Sequence, residues 1–256
     1  MLLMCGVMGA VAGAAFVWQA PTPTASSLSA ADETPGSMAV VELFTSEGCS
    51  SCPAADALLG RIDAEARKLG RPIYCLSFHV DYWDRLGWKD RFSEESITER
   101  QRAYSQQLGL DNIYTPQMIV NGTAQFLGSD QKAAVQSLNT ALSEIAPVTL
   151  DVKASGHDQQ VVVHCQIKNA PPEALLCVAC VDATASSTPN RGENKGRRLQ
   201  HVNVVRDFQS LELTPDFRGK VTLLRADQQS GFVIAFVQEP GPGRVLGAKA
   251  VAWSLE

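Results

Sequence analysis

Two cysteines stand two residues apart in the segment FTSEGCSSCPAAD, residues 44–56, and a proline follows the second one directly. Cysteines at this spacing have three common uses. They form a dithiol that opens and closes during electron transfer, they supply half of a soft-metal site, or they form a static structural disulfide. The elements that flank Cys49 and Cys52 bear on the choice among these uses.

The cysteine pair lies where a strand pattern gives way to a helix pattern. Residues 38–46 are typical of a strand, whereas residues 53–69 carry apolar side chains at helical spacing and stop before a glycine. Pro53 suits a first helical turn, because its missing N–H is not needed there. We therefore expect Cys49 to be exposed near a helix N-terminus, where the helix dipole favours a thiolate. We expect Cys52 to lie against the helix as the resolving thiol.

The second segment that could do chemistry is FHVDYWDRLGWKDRF, residues 78–92. His79 and Asp81 fall on one strand face and, with Asp84, would suit a proton relay or a cation site. The alternative, which we favour, is that the aromatic side chains cover the end of a sheet and the aspartates cap turns and the next helix. Beside an active dithiol, Trp83 and Trp88 would offer apolar contact to a substrate.

The whole chain has the composition of a globular protein. It has 256 residues, of which 45% are hydrophobic and 19% charged, and a net charge of -5 that gives no indication of a nucleic-acid partner. Residues 2–18 carry no charge and precede a proline-rich stretch, so residues 1–37 are predicted to be an export signal or N-terminal anchor plus linker. We expect a periplasmic or secreted protein, cleaved or tethered to the inner membrane by residues 2–18, with its cysteines in an oxidising compartment.

The pattern of periodicities changes near residue 147. Residues 38–146 read as β-α-β-α-β-β-α and predict an α/β domain, in which Ser93 caps the second helix and Asn121-Gly122 turns a hairpin. Residues 147–256 contain seven strand-like runs separated by turn residues, and they predict an all-β sandwich-like domain.

The second half has a second pair at the same spacing, Cys177 and Cys180. Residues three apart on a strand point to opposite faces, so this pair is not expected to be a redox site. Two alternatives stay open. Either Cys165 on the preceding strand forms a cross-strand disulfide with one of the pair, or all three are buried free thiols.

A basic segment, PNRGENKGRRLQHVNVVR, spans residues 189–206. We favour a solvated loop. The alternative is a docking patch for an anion or a protein surface, including the acidic segment at residues 78–92. His201 is expected to be structural rather than catalytic.

The combined motifs resemble a known family. A Cys-x-x-Cys between strand and helix, with Thr115-Pro116 entering a later strand, resembles the thioredoxin fold. The segments VELFTSEGCSSCPAAD, FHVDYWDRLGWKD, RQRAY, YTPQMIVNG and RGENKGRRLQHVNVVR are similar to the DUF1223 family of exported bacterial proteins of undefined function. The resemblance covers roughly residues 38 to 254 and implies a thioredoxin-like domain, a central mixed sheet with flanking helices, at residues 38–146.

The resemblance also implies roles for particular residues. Cys49 and Cys52 would be the catalytic dithiol. Thr115-Pro116 would be a cis-proline segment that lies beside the dithiol and pairs with an extended substrate. Glu42 would be the buried acid that accepts the proton of the inner cysteine.

The leading hypothesis from sequence is an exported thiol-disulfide oxidoreductase that acts on a protein or small-molecule thiol or disulfide, with no separate cofactor and no resident metal. The alternative is a non-enzymatic binding or copper(I)-delivery module that uses the same dithiol. Cys75 and His79 share a strand face, but four residues of strand span roughly 13 Å, so at most one of them would join the dithiol at a metal.

Overall fold

The computed structural model describes residues 36–214, 216–225 and 230–255. The predicted order of strands and helices is present in both halves of the chain. The strands are β1 (Ala39–Thr45), β2 (Ile73–His79), β3 (Gln117–Val120), β4 (Ala124–Leu127), β5 (Thr149–His157), β6 (Gln160–Lys168), β7 (Leu175–Ser187), β8 (Leu199–Glu212), β9 (Arg218–Leu224), β10 (Ser230–Gln238) and β11 (Val245–Ser254). The helices are α1 (Cys52–Leu69), α2 (Glu95–Gln107) and α3 (Gln131–Ser143), with a short 3₁₀ helix at Asp84–Leu86.

The predicted fold class, an α/β thioredoxin-like domain followed by an all-β sandwich-like domain, is wrong. The strands form an eight-stranded mixed sheet in the order β11-β10-β7-β8-β2-β1-β3-β4 and a three-stranded sheet in the order β5-β6-β9. The large sheet therefore takes four strands from each half of the chain. With three α-helices among the described residues, the fold is rich in β-structure rather than a helix-flanked thioredoxin fold.

The junction between the two halves is the pairing of β2 with β8. These strands run parallel and are in register at Ser77 and Val204. A first half that folded alone would leave β2 as an edge, with unpaired N–H and C=O groups available to other chains. Strand β8 covers that edge. A prediction that pairs only strands close in sequence misses the pairing of β2 with β8, because these strands are separated by more than a hundred residues.

Helix α1 follows from local signals that the sequence carries. Pro53 lies in its first turn, and Gly70 ends it in the left-handed conformation at φ 61°. Helix α2 begins at Glu95, with Glu94 rather than Ser93 at the N-cap position. The Ser93 hydroxyl instead donates a hydrogen bond to the Asp84 carboxylate, so it fastens the preceding loop.

Three apolar clusters make up the core. One packs α1 and α3 on the face of β1 that carries Val41 and Leu43. A second, on the opposite face, joins α2 to β1, β2, β7 and β10. The third lies between the three-stranded sheet and strands β7, β10 and β11. The second cluster contains residues from both halves of the chain, so it buries the junction.

Among the described residues, no helix combines the length and the apolar character needed to cross a membrane. The segment for which export or anchoring was predicted, residues 2–18, lies outside the described residues.

The β3–β4 hairpin meets the second half of the chain at its turn. Gly122 has a φ of 72°, and a Cβ at this position would lie 2.0 Å from the carbonyl oxygen of Gly243. The backbone of the turn and the backbone of the β10–β11 connection are thus in direct contact. No side chain fits between them.

We expect Gly122→Ala to lower the free energy of unfolding by about 1–3 kcal/mol more than Gly70→Ala does. Both glycines have a positive φ, but a Cβ at Gly70 meets no heavy atom within 4 Å. Comparison of the two variants therefore distinguishes the effect of steric overlap from the effect of backbone strain. Urea unfolding of both variants measures the difference, and equal losses would contradict the close approach.

Candidate functional site

The Cys49 and Cys52 side chains form a disulfide at the start of α1, with their Cα atoms 5.4 Å apart. Both residues are 0% exposed. The expectation that Cys49 is exposed is therefore wrong, although its place before the helix is as predicted. The Ser51 hydroxyl lies 3.3 Å from Cys49 Sγ, and it is the donor because a disulfide sulfur carries no proton.

Residues 188–198 connect β7 to β8 and contact residues 47–52, which we call the cysteine turn; we call residues 188–198 the cover loop. Asn194 is 0% exposed. Its side-chain amide donates hydrogen bonds to the backbone oxygens of Glu47 and Cys49, at 3.0 and 2.8 Å. Glu193 accepts a hydrogen bond of 2.9 Å from the backbone N–H of Ser50. The part of the basic segment that was expected to be a solvated loop thus binds the backbone of Glu47, Cys49 and Ser50.

The predicted substrate-binding residues lie around the same turn. The Trp83 indole N–H donates to the Thr115 hydroxyl at 2.7 Å. A Cβ at Gly48 would lie 3.1 Å from the Cβ of Trp83, so Trp83 connects the cysteine turn to the Thr115-Pro116 segment. The Thr115-Pro116 peptide bond is cis, as predicted. The Trp88 indole N–H donates to the Glu47 carboxylate at 2.6 Å.

Glu42 is not part of this group. Side chains alternate along β1, so Glu42 points to the face opposite Val41 and Leu43, which pack on α1. Its carboxylate forms an ion pair of 2.7 Å with Arg100 and accepts a hydrogen bond from the Tyr104 hydroxyl. This position does not support the role of proton acceptor for Cys52.

Arg100 is enclosed by groups from both halves of the chain. Its guanidinium donates to Gln238 at 3.1 Å. It also lies 4.7–5.7 Å from the ring centres of Phe208, Tyr104, Phe236 and Phe78. Burial alone would lower the pKa of Arg100, but the charge of Glu42 outweighs it and raises that pKa. The guanidinium therefore stays charged inside the protein.

The aspartates of residues 78–92 divide between two roles. Asp81 accepts a hydrogen bond from the Thr98 hydroxyl, and Asp84 accepts from the backbone N–H of Asp90, so these two secure the loop and α2, as the favoured alternative predicted. Asp90 is different. It lies 2.7 Å from His79 Nδ1, and both side chains are 0% exposed.

The His79–Asp90 pair is a buried ion pair. Burial would lower the pKa of His79, but the charge and hydrogen bond of Asp90, with smaller contributions from Asp56 and Glu47, raise it. Burial would raise the pKa of Asp90, but the charge and hydrogen bond of His79 and the N–H groups of Glu47 and Phe92 lower it. Each partner therefore favours the charged form of the other.

Three residues that sequence reasoning did not select complete the site: Glu47, Asp56 and Asn194. All three are buried polar residues. Asp56 interrupts the apolar face of α1 one turn after Cys52. A carboxylate at such a position could have been identified from the sequence as a candidate site residue. Glu47 and Asn194 lie in loops and gave no signal. His201, expected to be structural, is buried beside Asp56 and Glu47.

The other four described cysteines, Cys75, Cys165, Cys177 and Cys180, are free and buried. Of the two alternatives for the second half, free thiols are therefore the one observed. Burial is the largest cause that raises the pKa of Cys165 to about 11 and the pKa values of Cys177 and Cys180 to about 12. These thiols are poor nucleophiles at neutral pH.

Comparison with known proteins places the chain among proteins without an assigned role. The family described as "Protein of unknown function (DUF1223)" matches residues 40–238. The solved structure of protein AGR_C_4864 from Agrobacterium tumefaciens is 27% identical, with a TM-score of 0.65 over 84% of this chain and 94% of that one. HBP35 of Porphyromonas gingivalis is 16% identical, with a TM-score of 0.60 over 88% of this chain and 77% of that one, and it shows a similar fold. No curated protein matches significantly.

Removal of the Asn194 amide should expose the disulfide. Asn194→Ala loses two hydrogen bonds that hold the cover loop, each worth about 0.5–1.5 kcal/mol, so we expect reduction by dithiothreitol to be about 10-fold faster. Asn190→Ala, at an exposed position of the same loop, is the control and should react like the unmodified protein. Thiol alkylation after timed exposure measures both rates, and an unchanged rate in Asn194→Ala would show that the loop does not limit access.

Asp90→Asn should lower the free energy of unfolding by about 3 kcal/mol in a defined pH window. The raised pKa of His79 means that its contribution is complete below the unfolded value of about 6.5 and is lost as pH rises through the folded value. The lowered pKa of Asp90 means that its contribution is complete above about 3.9 and is lost as pH falls through the folded value. The deficit of the variant should therefore be largest between about pH 4 and 6.5.

Urea unfolding at a series of pH values measures this profile. Asp130→Asn is the control, because Asp130 caps α3 through the backbone N–H of Ala133 and has no titrating partner in that bond. A deficit in Asp90→Asn that stays constant from acid to alkaline pH would contradict the ion pair.

Proposed function

Since this chain belongs to the DUF1223 family, whose function is unknown, we propose an activity from the site itself: thiol-disulfide exchange at Cys49–Cys52. The observation that carries the proposal is the contrast among the described cysteines. Cys49 and Cys52 are bonded to each other at the start of α1, whereas the other four are free and lie within β2, β6 and β7.

The position of the pair supports exchange rather than a static crosslink. A bond across three residues closes a very short loop and adds little to the stability of the fold. The N-terminus of α1 has unpaired N–H groups that favour an anion. Ser51 already places a hydroxyl at the Cys49 sulfur, where it would also stabilise a thiolate. These features assist a thiol that must become charged.

The reaction follows from the chemistry of disulfides. A substrate thiolate attacks Cys49 Sγ, the Cys49–Cys52 bond breaks, and Cys52 leaves as a thiolate. In the opposite direction Cys52 attacks the mixed disulfide at Cys49 and releases the substrate thiolate. Cys49 is the attacked sulfur because it lies in the turn before the helix, under the cover loop. Cys52 lies in α1 and belongs to the core.

Substrate access sets a condition on the proposal. Both cysteines are 0% exposed, so a substrate reaches Cys49 only when the cover loop is displaced. A partner that does so would meet Trp83, Trp88 and the Thr115-Pro116 segment, which surround the turn. The substrate class is a protein or small-molecule thiol or disulfide. Export to an oxidising compartment is part of the proposal, because such compartments preserve disulfides and residues 2–18 are apolar and uncharged.

Redox titration in glutathione buffers, with alkylation of free thiols and mass spectrometry, tests the proposed activity. We expect the Cys49–Cys52 pair to titrate reversibly under native conditions, while Cys165 and Cys177 stay unreactive to exchange. A Cys52→Ser variant should retain substrate as a mixed disulfide at Cys49, and Cys165→Ser is the matched control that should retain none.

Two outcomes would lead away from exchange. If the pair never titrates in the native protein, the disulfide is structural. The binding or metal-delivery alternative holds if three results occur together. The pair titrates, Cys52→Ser retains no partner, and the reduced protein binds copper(I) tightly whereas Cys49→Ser does not. The part of the chain that the structure describes contains no group of three or more His, Cys, Asp or Glu residues arranged to hold a metal ion.

A further inference from the structure

A set of buried ionisable side chains lies behind Cys52 and is not explained by the fold. Asp56 follows Cys52 by four residues on α1, a spacing that puts their Cβ atoms roughly 5–6 Å apart on one face of the helix. Both residues are buried. A carboxyl group at this position is therefore the nearest ionisable group to Cys52 along its own helix.

Strand β8 places a histidine against this carboxyl group. Helix α1 lies along β8: a Cβ at Gly60 would lie 3.7 Å from Val202, and Asn203 donates a hydrogen bond to Asp63. At the start of this contact His201 Nδ1 is 3.6 Å from Asp56 Oδ1, and His201 Nε2 is 3.9 Å from Glu47 Oε1. The imidazole thus lies between two carboxyl groups, slightly beyond hydrogen-bond distance from each.

The polar atoms of this group have no hydrogen-bond partner among the described residues. They are both ring nitrogens of His201, Asp56 Oδ1, Glu47 Oε1 and His79 Nε2. Buried polar atoms are normally paired, because an unpaired one costs about 1–3 kcal/mol. The atoms of His201, Asp56 and Glu47 face one another at 3.6 and 3.9 Å, so a small side-chain movement would let a proton pass among them.

Glu47 joins the group to the side chains around the cysteine turn. The second oxygen of that carboxylate accepts the indole N–H of Trp88, which is half-buried in the wall of the cysteine turn. On the inner side the ring of His201 lies 4.7 Å from the ring of His79. The titratable and charged groups around His201 are Glu47, Asp56, His79 and Asp90, with Arg91 and Arg206 over the neighbouring ring of Phe92.

We propose that Asp56 is the proton acceptor for Cys52 and that His201 relays the proton between Asp56 and Glu47. This inference rests on the proposed exchange reaction. When Cys52 closes the disulfide, its thiol proton moves to Asp56 and the resulting thiolate attacks Cys49 Sγ. The mixed disulfide breaks, and the substrate leaves as a thiolate. When the disulfide opens, the Cys52 thiolate takes the proton back.

The closure step can be followed with dithiobis(nitrobenzoate), an aromatic disulfide that releases a coloured thiolate. Reduced protein releases one equivalent when Cys49 forms the mixed disulfide and a second when Cys52 closes the ring. At high reagent concentration the second release reports closure, and Cys52→Ser defines the first. Mass spectrometry of the product distinguishes closure from a second attack by the reagent.

We expect closure in Asp56→Asn and in His201→Gln to be about 10-fold or more slower than in the unmodified protein near pH 6. The difference should become smaller as pH rises, because hydroxide then competes with the relay for the thiol proton. Asp63→Asn is the matched control on the same helix, because Asp63 pairs with Arg67 and Asn203 and follows Cys52 by about three turns of the helix. It should follow the unmodified pH profile.

The outcomes separate the relay from the exchange reaction. If every protein releases two equivalents with the same pH profile, the relay alone is overturned. The relay is also overturned if closure in Asp56→Asn and His201→Gln is slowed equally at every pH, because an equal slowing indicates a structural role. A single release in the unmodified protein would overturn both. Infrared difference spectra of the unmodified protein between its oxidised and reduced states need no variant to fold. A carboxyl band that changes on reduction is expected, and its absence counts against the relay.

Discussion

One buried charge sets the architecture of the molecule. Arg100 on α2 reaches Glu42 on β1, Gln238 on β10 and aromatic rings on both β2 and β8. Burying an unpaired ion costs several kcal/mol, so the chain must bring all these partners together to keep the guanidinium inside. They come from both halves of the sequence. The continuous eight-stranded sheet is the arrangement that supplies them, and a first half that folded alone would lack the hydrogen bond to Gln238 and the rings of Phe208 and Phe236.

The local structure was readable from the sequence because local forces determine it. Apolar spacing, Pro53 and Gly70 define α1, and alternation with turn residues defines the strands of the second half. The two-cysteine turn before a helix and the cis bond at Thr115-Pro116 were also predicted correctly. Except for the cis bond, which was predicted from the family resemblance, each of these features depends on neighbours within a few residues, where side-chain type and spacing carry the information.

The arrangement of the elements was not readable, because it depends on contacts between distant residues. The pairing of β2 with β8 joins Ser77 to Val204 and converts two expected domains into one sheet. The same approach brings Asn194 over Cys49 and His201 against Asp56. The approach of β8 to β2 thereby buries Cys49, which was expected to be exposed in a separate first domain. Glu42 was assigned to the dithiol by resemblance, whereas the face of β1 that it occupies belongs to Arg100.

The cover loop has a consequence for the order of events during synthesis. Asn194 follows Cys49 by 145 residues, and chains grow from the N-terminus at roughly 5–20 residues per second. The two cysteines therefore exist for roughly 7–30 seconds before the residues that cover them. Disulfide formation takes seconds to hours, depending on the oxidant. A growing chain would offer an open pair to any oxidant at hand, whereas the finished one would admit only a partner able to lift the loop. The order of synthesis, as well as the redox equilibrium, would thus determine whether the two cysteines are oxidised or reduced when the cover loop closes over them.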